Sequence, residues 1–125
     1  MMKNNITDLQ FTIITSITVS DEKEVIEFIT QDGNHYIMYH EQDCCEHVYV
    51  EDIVGDLDDL IDTPIIGARE DTNRNNLLPD SDSSHTWTFY TISSLKGIVT
   101  IRWYGTSNGY YSEAVNFKQT INRNT

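Results

Sequence analysis

Basic residues are scarce in this chain of 125 residues: eight Lys and Arg stand against twenty Asp and Glu, for a formal net charge of −12. The eight are scattered, and no stripe of them could neutralise a phosphate backbone, so direct binding of nucleic acid is not expected. An anionic membrane surface is disfavoured on the same ground, whereas a basic partner would be attracted. Long apolar runs are missing as well. None approaches the ~20 residues that a membrane-spanning helix needs. The opening Met1-Met2-Lys3-Asn4-Asn5 is polar and leads into no apolar stretch of the signal-peptide kind, which makes a cytoplasmic protein the expectation. Asn5-Ile6-Thr7 has the form of a glycosylation sequon but carries no weight in that setting.

Cysteine occurs only as the adjacent pair Cys44 and Cys45. Neighbours on a strand point to opposite faces, and a disulfide between them is rare, so two reduced thiols are expected. One would be a small core residue and the other would pack beneath a turn. Catalytic signatures are also lacking: there is no glycine-rich phosphate loop, no G-x-S-x-G and no H-E-x-x-H. With twenty acids in the chain, a pair of carboxylates proves nothing. The expectation is a binding protein rather than an enzyme, with no cofactor.

What the chain does have is β-branched and aromatic residues, including seven Tyr, four Phe and two Trp. Its length suffices to bury roughly two-thirds of the surface of the unfolded chain. Phe11, Ile13, Thr15, Ile17 and Val19 alternate with polar residues, Ile14 being the one exception, which predicts a half-buried strand. Residues 25–30 and 35–40 flank Asp32-Gly33, the signature of a tight hairpin turn. The second arm runs through the string HEQDCCE, residues 40–46, into the β-prone His47-Val48-Tyr49-Val50. Leu57, Leu60 and Ile61 stand at helical spacing behind a candidate N-cap, Asp56, and before Pro64, which predicts one or two turns of helix. Residues 65–70 return to the sheet, and residues 71–84 read as a long polar loop. Residues 86–92 and 98–104 predict a second hairpin, and Thr106-Ser107-Asn108-Gly109 a turn into a strand over residues 110–117. The sum is a mainly β (α+β) fold: a single antiparallel sheet of about six to seven strands with one short helix. One domain spans residues 1–125, with a folded core over 8–118 and a tail over 119–125. An open sheet has edge strands, which makes a homodimer conceivable.

Three segments could carry chemistry. The first is HEQDCCE with His47. A zinc site would need four ligands in C-x₂₋₄-C spacing with a second pair elsewhere, and His35 and His85 bear no such relation to the adjacent cysteines. No metal ligand is assigned, and a metal-binding domain is the third reading of function. A cysteine nucleophile has no supporting signature around it. The second segment is the acidic run over residues 41–62, whose order does not match a calcium loop. Its Glu51, Asp52, Asp56, Asp58, Asp59 and Asp62 form either a solvated face or a carboxylate array offered to a basic groove, as in a nucleic-acid mimic. The third is residues 102–113, where Arg102, Trp103 and Tyr104 precede Asn108, Tyr110 and Tyr111. Aromatic faces and hydrogen-bonding groups of this kind suit a planar, polar ligand such as a nucleotide, although cross-strand pairs of an ordinary hairpin have the same composition.

The string HEQDCCEHVYVEDIVGDLDDLID, followed by PI, WTFY, KG-VTIRWYG and SNGYYSEAVNF, resembles a family of small uncharacterised proteins of bacteriophages and bacteria, a domain of unknown function. The resemblance covers roughly residues 28–117 and departs in the polar stretch after Glu70. It implies a phage or prophage setting and no catalytic role. The resulting expectation is a non-enzymatic protein of phage or prophage type that acts on a host factor in the host cytoplasm. It would sequester a small polar or nucleotide-like ligand in an aromatic pocket. His40, Asp43, Cys45 and Glu46 would form one wall. Arg102, Trp103, Tyr104, Asn108, Tyr110 and Tyr111 would form the other. The alternative is an acidic protein inhibitor that blocks the basic groove of a host defence enzyme.

Overall fold

The structure, a computed structural model, describes residues 5–75, 84–108 and 112–120. Eight strands run through it: β1 (Ile14–Val19), β2 (Val25–Thr30), β3 (His35–Tyr39), β4 (His47–Val54), β5 (Ile65–Asn75), β6 (Ser84–Ser94), β7 (Ile98–Ser107) and β8 (Asn116–Thr120). They form two antiparallel sheets, in the orders β1-β2-β3-β8 and β4-β7-β6-β5. The mainly β, antiparallel class is as expected, but the strands divide between two sheets instead of sharing one. The reason is coverage. Every second residue of β6, from Ser84 to Ser94, is buried, so the sheet has one face that must be covered. One short helical turn is too small for that, and a second sheet does it. Ile26, Phe28 and Met38 of the first sheet share one core with Val50, Ile92, Ile101 and Trp103 of the second. The Trp103 indole N–H donates to Met38 Sδ at 3.1 Å, a polar contact between the two sheets.

Local chemistry explains the connections. Gly33 takes φ +87° in the β2–β3 turn, where its N–H donates to the Thr30 carbonyl at 3.0 Å. The short helix is a single 3-10 turn over Leu57–Leu60, and Asp56 caps it by accepting from the Asp58 N–H. A second such turn, Ile6–Leu9, capped by Asn5, precedes β1 and was not foreseen.

Four local expectations need correction. A bulge between Ile14 and Ser16 shifts the register of β1. Ile14, the exception to the alternation, is therefore the buried residue, while Phe11 lies outside the strand and is 82% exposed. Much of the polar stretch after Glu70 is strand: β5 continues to Asn75, with Asp71 opposite Phe89 and Asn73 opposite Trp87, and β6 begins at Ser84. Asp71, Thr72 and Asn73 are all exposed, so no apolar alternation marks this arm. The remainder of the expected loop, residues 76–83, lies outside the described residues. At the other end, Gln119 and Thr120 pair with Tyr36 and His35, so β8 runs into the expected tail. The strand expected over residues 110–117 does not extend the β6–β7 hairpin. The chain leaves that sheet after Ser107 and joins the other one as β8, beside β3.

Candidate functional site

The chain passes from the first sheet to the second between β3 and β4, through HEQDCCE, and returns between β7 and β8. Because β3 neighbours β8 and β4 neighbours β7, the two crossings run side by side. A segment that leaves a sheet loses its ladder partners, and its backbone groups must find others. At the first crossing Glu46 provides them. Its side chain is fully buried. Oε2 accepts from the Asp43 N–H and the His40 Nε2, each at 2.8 Å, and Oε1 accepts from the Cys44 N–H at 2.9 Å. The Gln42 amide donates to the Glu46 carbonyl at 2.7 Å and the Cys44 carbonyl at 3.2 Å. The crossings are tied together by His40 Nδ1 to the Ala114 carbonyl, 2.7 Å, and by the Glu41 N–H to Asn116 Oδ1, 2.9 Å. A carbonyl and a carboxylate are both acceptors, so each ring nitrogen of His40 faces one, and the ring is fixed between the two crossings.

Burial by itself pushes the Glu46 carboxyl up. The hydrogen bonds from the Cys44 amide, the His40 ring and the amides of Glu46 and Asp43 outweigh it and bring the pKa from the usual 4.5 down to about 2. The folded state therefore binds this proton less tightly than the unfolded state does. The contribution of Glu46 is complete above about pH 4.5 and is lost as the pH falls toward about 2. In chemical denaturation, Glu46→Gln is expected to flatten the dependence of stability on pH across that window. An unchanged slope would refute the assignment.

The second crossing has a buried acid of its own, Glu113, 5% exposed. Its carboxylate accepts from the hydroxyls of Ser84 (3.3 Å), Thr86 (2.6 Å) and Ser107. Gly105 lies against it: a Cβ there would meet Glu113 Cβ at 2.9 Å and Val48 Cγ2 at 3.1 Å, so only a glycine admits the acid. Sequence reasoning missed this site. The available signal was the run of inward Ser84 and Thr86 where a strand over a core would carry Val or Ile.

Between the crossings opens a cleft of about 340 Å³, lined by His40, Glu41, Gln42, Asp43, Glu46, Ser112 and Asn116. It brings His40, Asp43 and Glu46 from one expected wall together with Ser112 of the other segment, but not with that segment's aromatics. Trp103 is wholly inside the core. Arg102 and Tyr104 flank it in sequence and so point to the opposite, outer face of the sheet. Asn108 is exposed at the end of β7, and Tyr110 and Tyr111 lie outside the described residues. Cys45 is neither buried nor reduced: both cysteines are exposed and joined as a disulfide. The premise that separated them, opposite faces of a strand, does not apply, because they occupy a bend.

The outer face of the second sheet gathers the aromatics instead. From β4 come His47 and Tyr49, from β7 Tyr104, and from β6 His85 and Trp87. Ring centroids lie 4.7 Å apart for His47–Tyr49, 5.9 Å for Tyr49–Tyr104, 5.2 Å for Trp87–Tyr104 and 6.3 Å for His85–Trp87. The Tyr104 hydroxyl shares a hydrogen bond with His85 Nδ1, and burial raises its pKa above the ordinary phenol value. Arg102, on the same face, pairs with Glu51 at 2.8 Å and with Asp52 at 3.9 Å.

The acidic run is largely taken up by local structure. Glu51 and Asp52 hold Arg102, Asp56 caps the 3-10 turn, and Asp59 Oδ2 lies 2.7 Å from where a Gly97 Cβ would be. Glu51, Asp52, Asp56, Asp58 and Asp62 are all exposed, and Asp59 is half-buried. Among the described residues, no three His, Cys, Asp or Glu are grouped to hold a metal ion, and no helix is long and apolar enough to cross a membrane.

Comparison with curated proteins and with solved structures returns no match. A family model described as a domain of unknown function, DUF7448, matches residues 6–117, from the first 3-10 turn into β8, and the chain belongs to that family.

Proposed function

We propose that this domain binds without catalysis and that its working surface is the aromatic outer face of the second sheet. The observation that carries this reading is the unbroken series of ring contacts from His47 through Tyr49 and Tyr104 to Trp87 and His85, on the side turned away from the core. Part-exposed rings in a row are costly to leave against water and well suited to stack on a flat ligand. The ligand class is a planar, polar and uncharged ring, of the nucleobase or nucleoside kind. A phosphate would meet Glu51 and Asp52, which already hold Arg102, in a chain of net charge −12. The groups around the cleft argue against acid–base chemistry there, since the Glu46 carboxylate and both His40 nitrogens already have partners. The phage or prophage setting, with a host factor in the host cytoplasm as the process affected, belongs to the same proposal.

The two tryptophans make the test direct, because Trp87 lies on the proposed surface and Trp103 in the core. Titration with nucleosides and free bases is expected to quench the Trp87 emission. At a hundredfold excess over Kd the ligand is expected to stabilise the fold by about 2.7 kcal/mol. Trp87→Ala and Tyr104→Ala remove both effects and keep the fold. If no planar neutral ligand changes emission or stability, or if phosphorylated forms bind more tightly than the nucleosides, the proposal fails.

A further inference from the structure

We propose that Cys44 and Cys45 form a reversible dithiol–disulfide site that exchanges with neutral dithiols and, once reduced, captures a single thiophilic centre such as trivalent arsenic. Both residues are exposed on the bend between the sheets, and their sulfurs are joined. The shape of this bend does not depend on that bond. The Glu46 carboxylate holds the Asp43 and Cys44 amides, Gln42 holds the carbonyls of Cys44 and Glu46, and His40 anchors Glu46 to the neighbouring crossing. Opening the disulfide breaks none of these hydrogen bonds and no ladder pairing, so the two thiols stay side by side on a preformed loop.

The exchange is balanced without any group from the protein beyond the two sulfurs. An external thiolate attacks one Sγ, the Sγ–Sγ bond breaks, and the other sulfur leaves as a thiolate and takes up a proton. The second thiol of the reductant then displaces the first cysteine and closes its own disulfide. The protein gains two hydrogens and the dithiol loses two. Glu41 and Asp43, both exposed, lie beside the pair in a chain of net charge −12, so an anionic thiol is repelled and a neutral dithiol is the favoured reductant class. In the capture step two S–H groups react with an arsenoxide: two As–S bonds form, and the oxygen leaves as water with both thiol protons.

The experiment is intact-mass analysis of the whole chain, purified in air, with iodoacetamide applied before and after dithiothreitol. No alkylation is expected before reduction and two groups after it, with the melting transition retained. Neutral dithiothreitol should open the site faster than an anionic thiol at equal thiolate concentration, with the difference shrinking in high salt. The reduced chain should take up one phenylarsine oxide per molecule, and Cys45→Ser, at an exposed position that leaves the fold intact, should retain none. Two alkylations before reduction, two arsenicals per chain, no arsenical at all or unfolding on reduction would each overturn the proposal.

Discussion

Trp103→Ala is expected to destabilise the fold by about 3–5 kcal/mol, the range for removing a fully buried large aromatic. Trp103 is 0% exposed and sits mid-strand in β7, paired with Val50 of β4 on one side and Thr88 of β6 on the other. Its indole reaches across the core to donate to Met38 of the opposite sheet at 3.1 Å. Truncation therefore opens a cavity at the joint between the sheets and removes their polar contact together. A domain of this size has a total stability on the order of 5–15 kcal/mol, so the variant should be marginal at 37 °C. In urea the midpoint should fall sharply with the slope unchanged. Trp103→Phe, which keeps most of the volume, should lose much less. A loss under about 1 kcal/mol for the alanine variant would mean that the two sheets do not meet at this residue.

Glu113→Ala should be comparably damaging for a different reason. Its carboxylate is the shared acceptor of three hydroxyls, those of Ser84, Thr86 and Ser107, at a buried position. Each donor left without a partner costs about 1–3 kcal/mol, and the vacated volume adds to the loss. The variant should lose about 3–5 kcal/mol in chemical denaturation, the scale for breaking a buried charged network. Glu113→Gln, which keeps an acceptor, should lose less. The sharper readout is a reversal of sign. With Ser84→Ala, Thr86→Val and Ser107→Ala combined, the acid is buried with few partners, and Glu113→Leu should then stabilise the chain. If Glu113→Leu destabilises equally with and without the three hydroxyls, the carboxylate does not act through them.

The parts of this fold that were legible are those governed by neighbours in sequence. Asp32-Gly33 specifies its own turn, Asp56 caps the turn that follows it, and the alternation in β2, β3, β6 and β7 marks which side chains face inward. Even the separation of Trp103 from Arg102 and Tyr104 was available: three consecutive residues of a strand cannot line one pocket, because successive side chains take opposite faces. The bulge in β1 was not legible, since it depends on the register with β2. The disulfide was not legible either, since it depends on Cys44 and Cys45 forming a bend instead of a strand.

HEQDCCE was conspicuous from the start as a crowd of reactive side chains, and the chain alone determined that crowd, its acidity and its position between two strands. Only the tertiary structure decided that the segment crosses between sheets beside a second crossing. That placement turns Glu46 from a surface acid into a buried acceptor for His40 and two amides, and leaves both cysteines outside. The physical reason is that strand propensity and face alternation are local properties. The choice of sheet for β4 and β8 is made by the competition among whole apolar faces for cover, which no stretch of the chain encodes by itself.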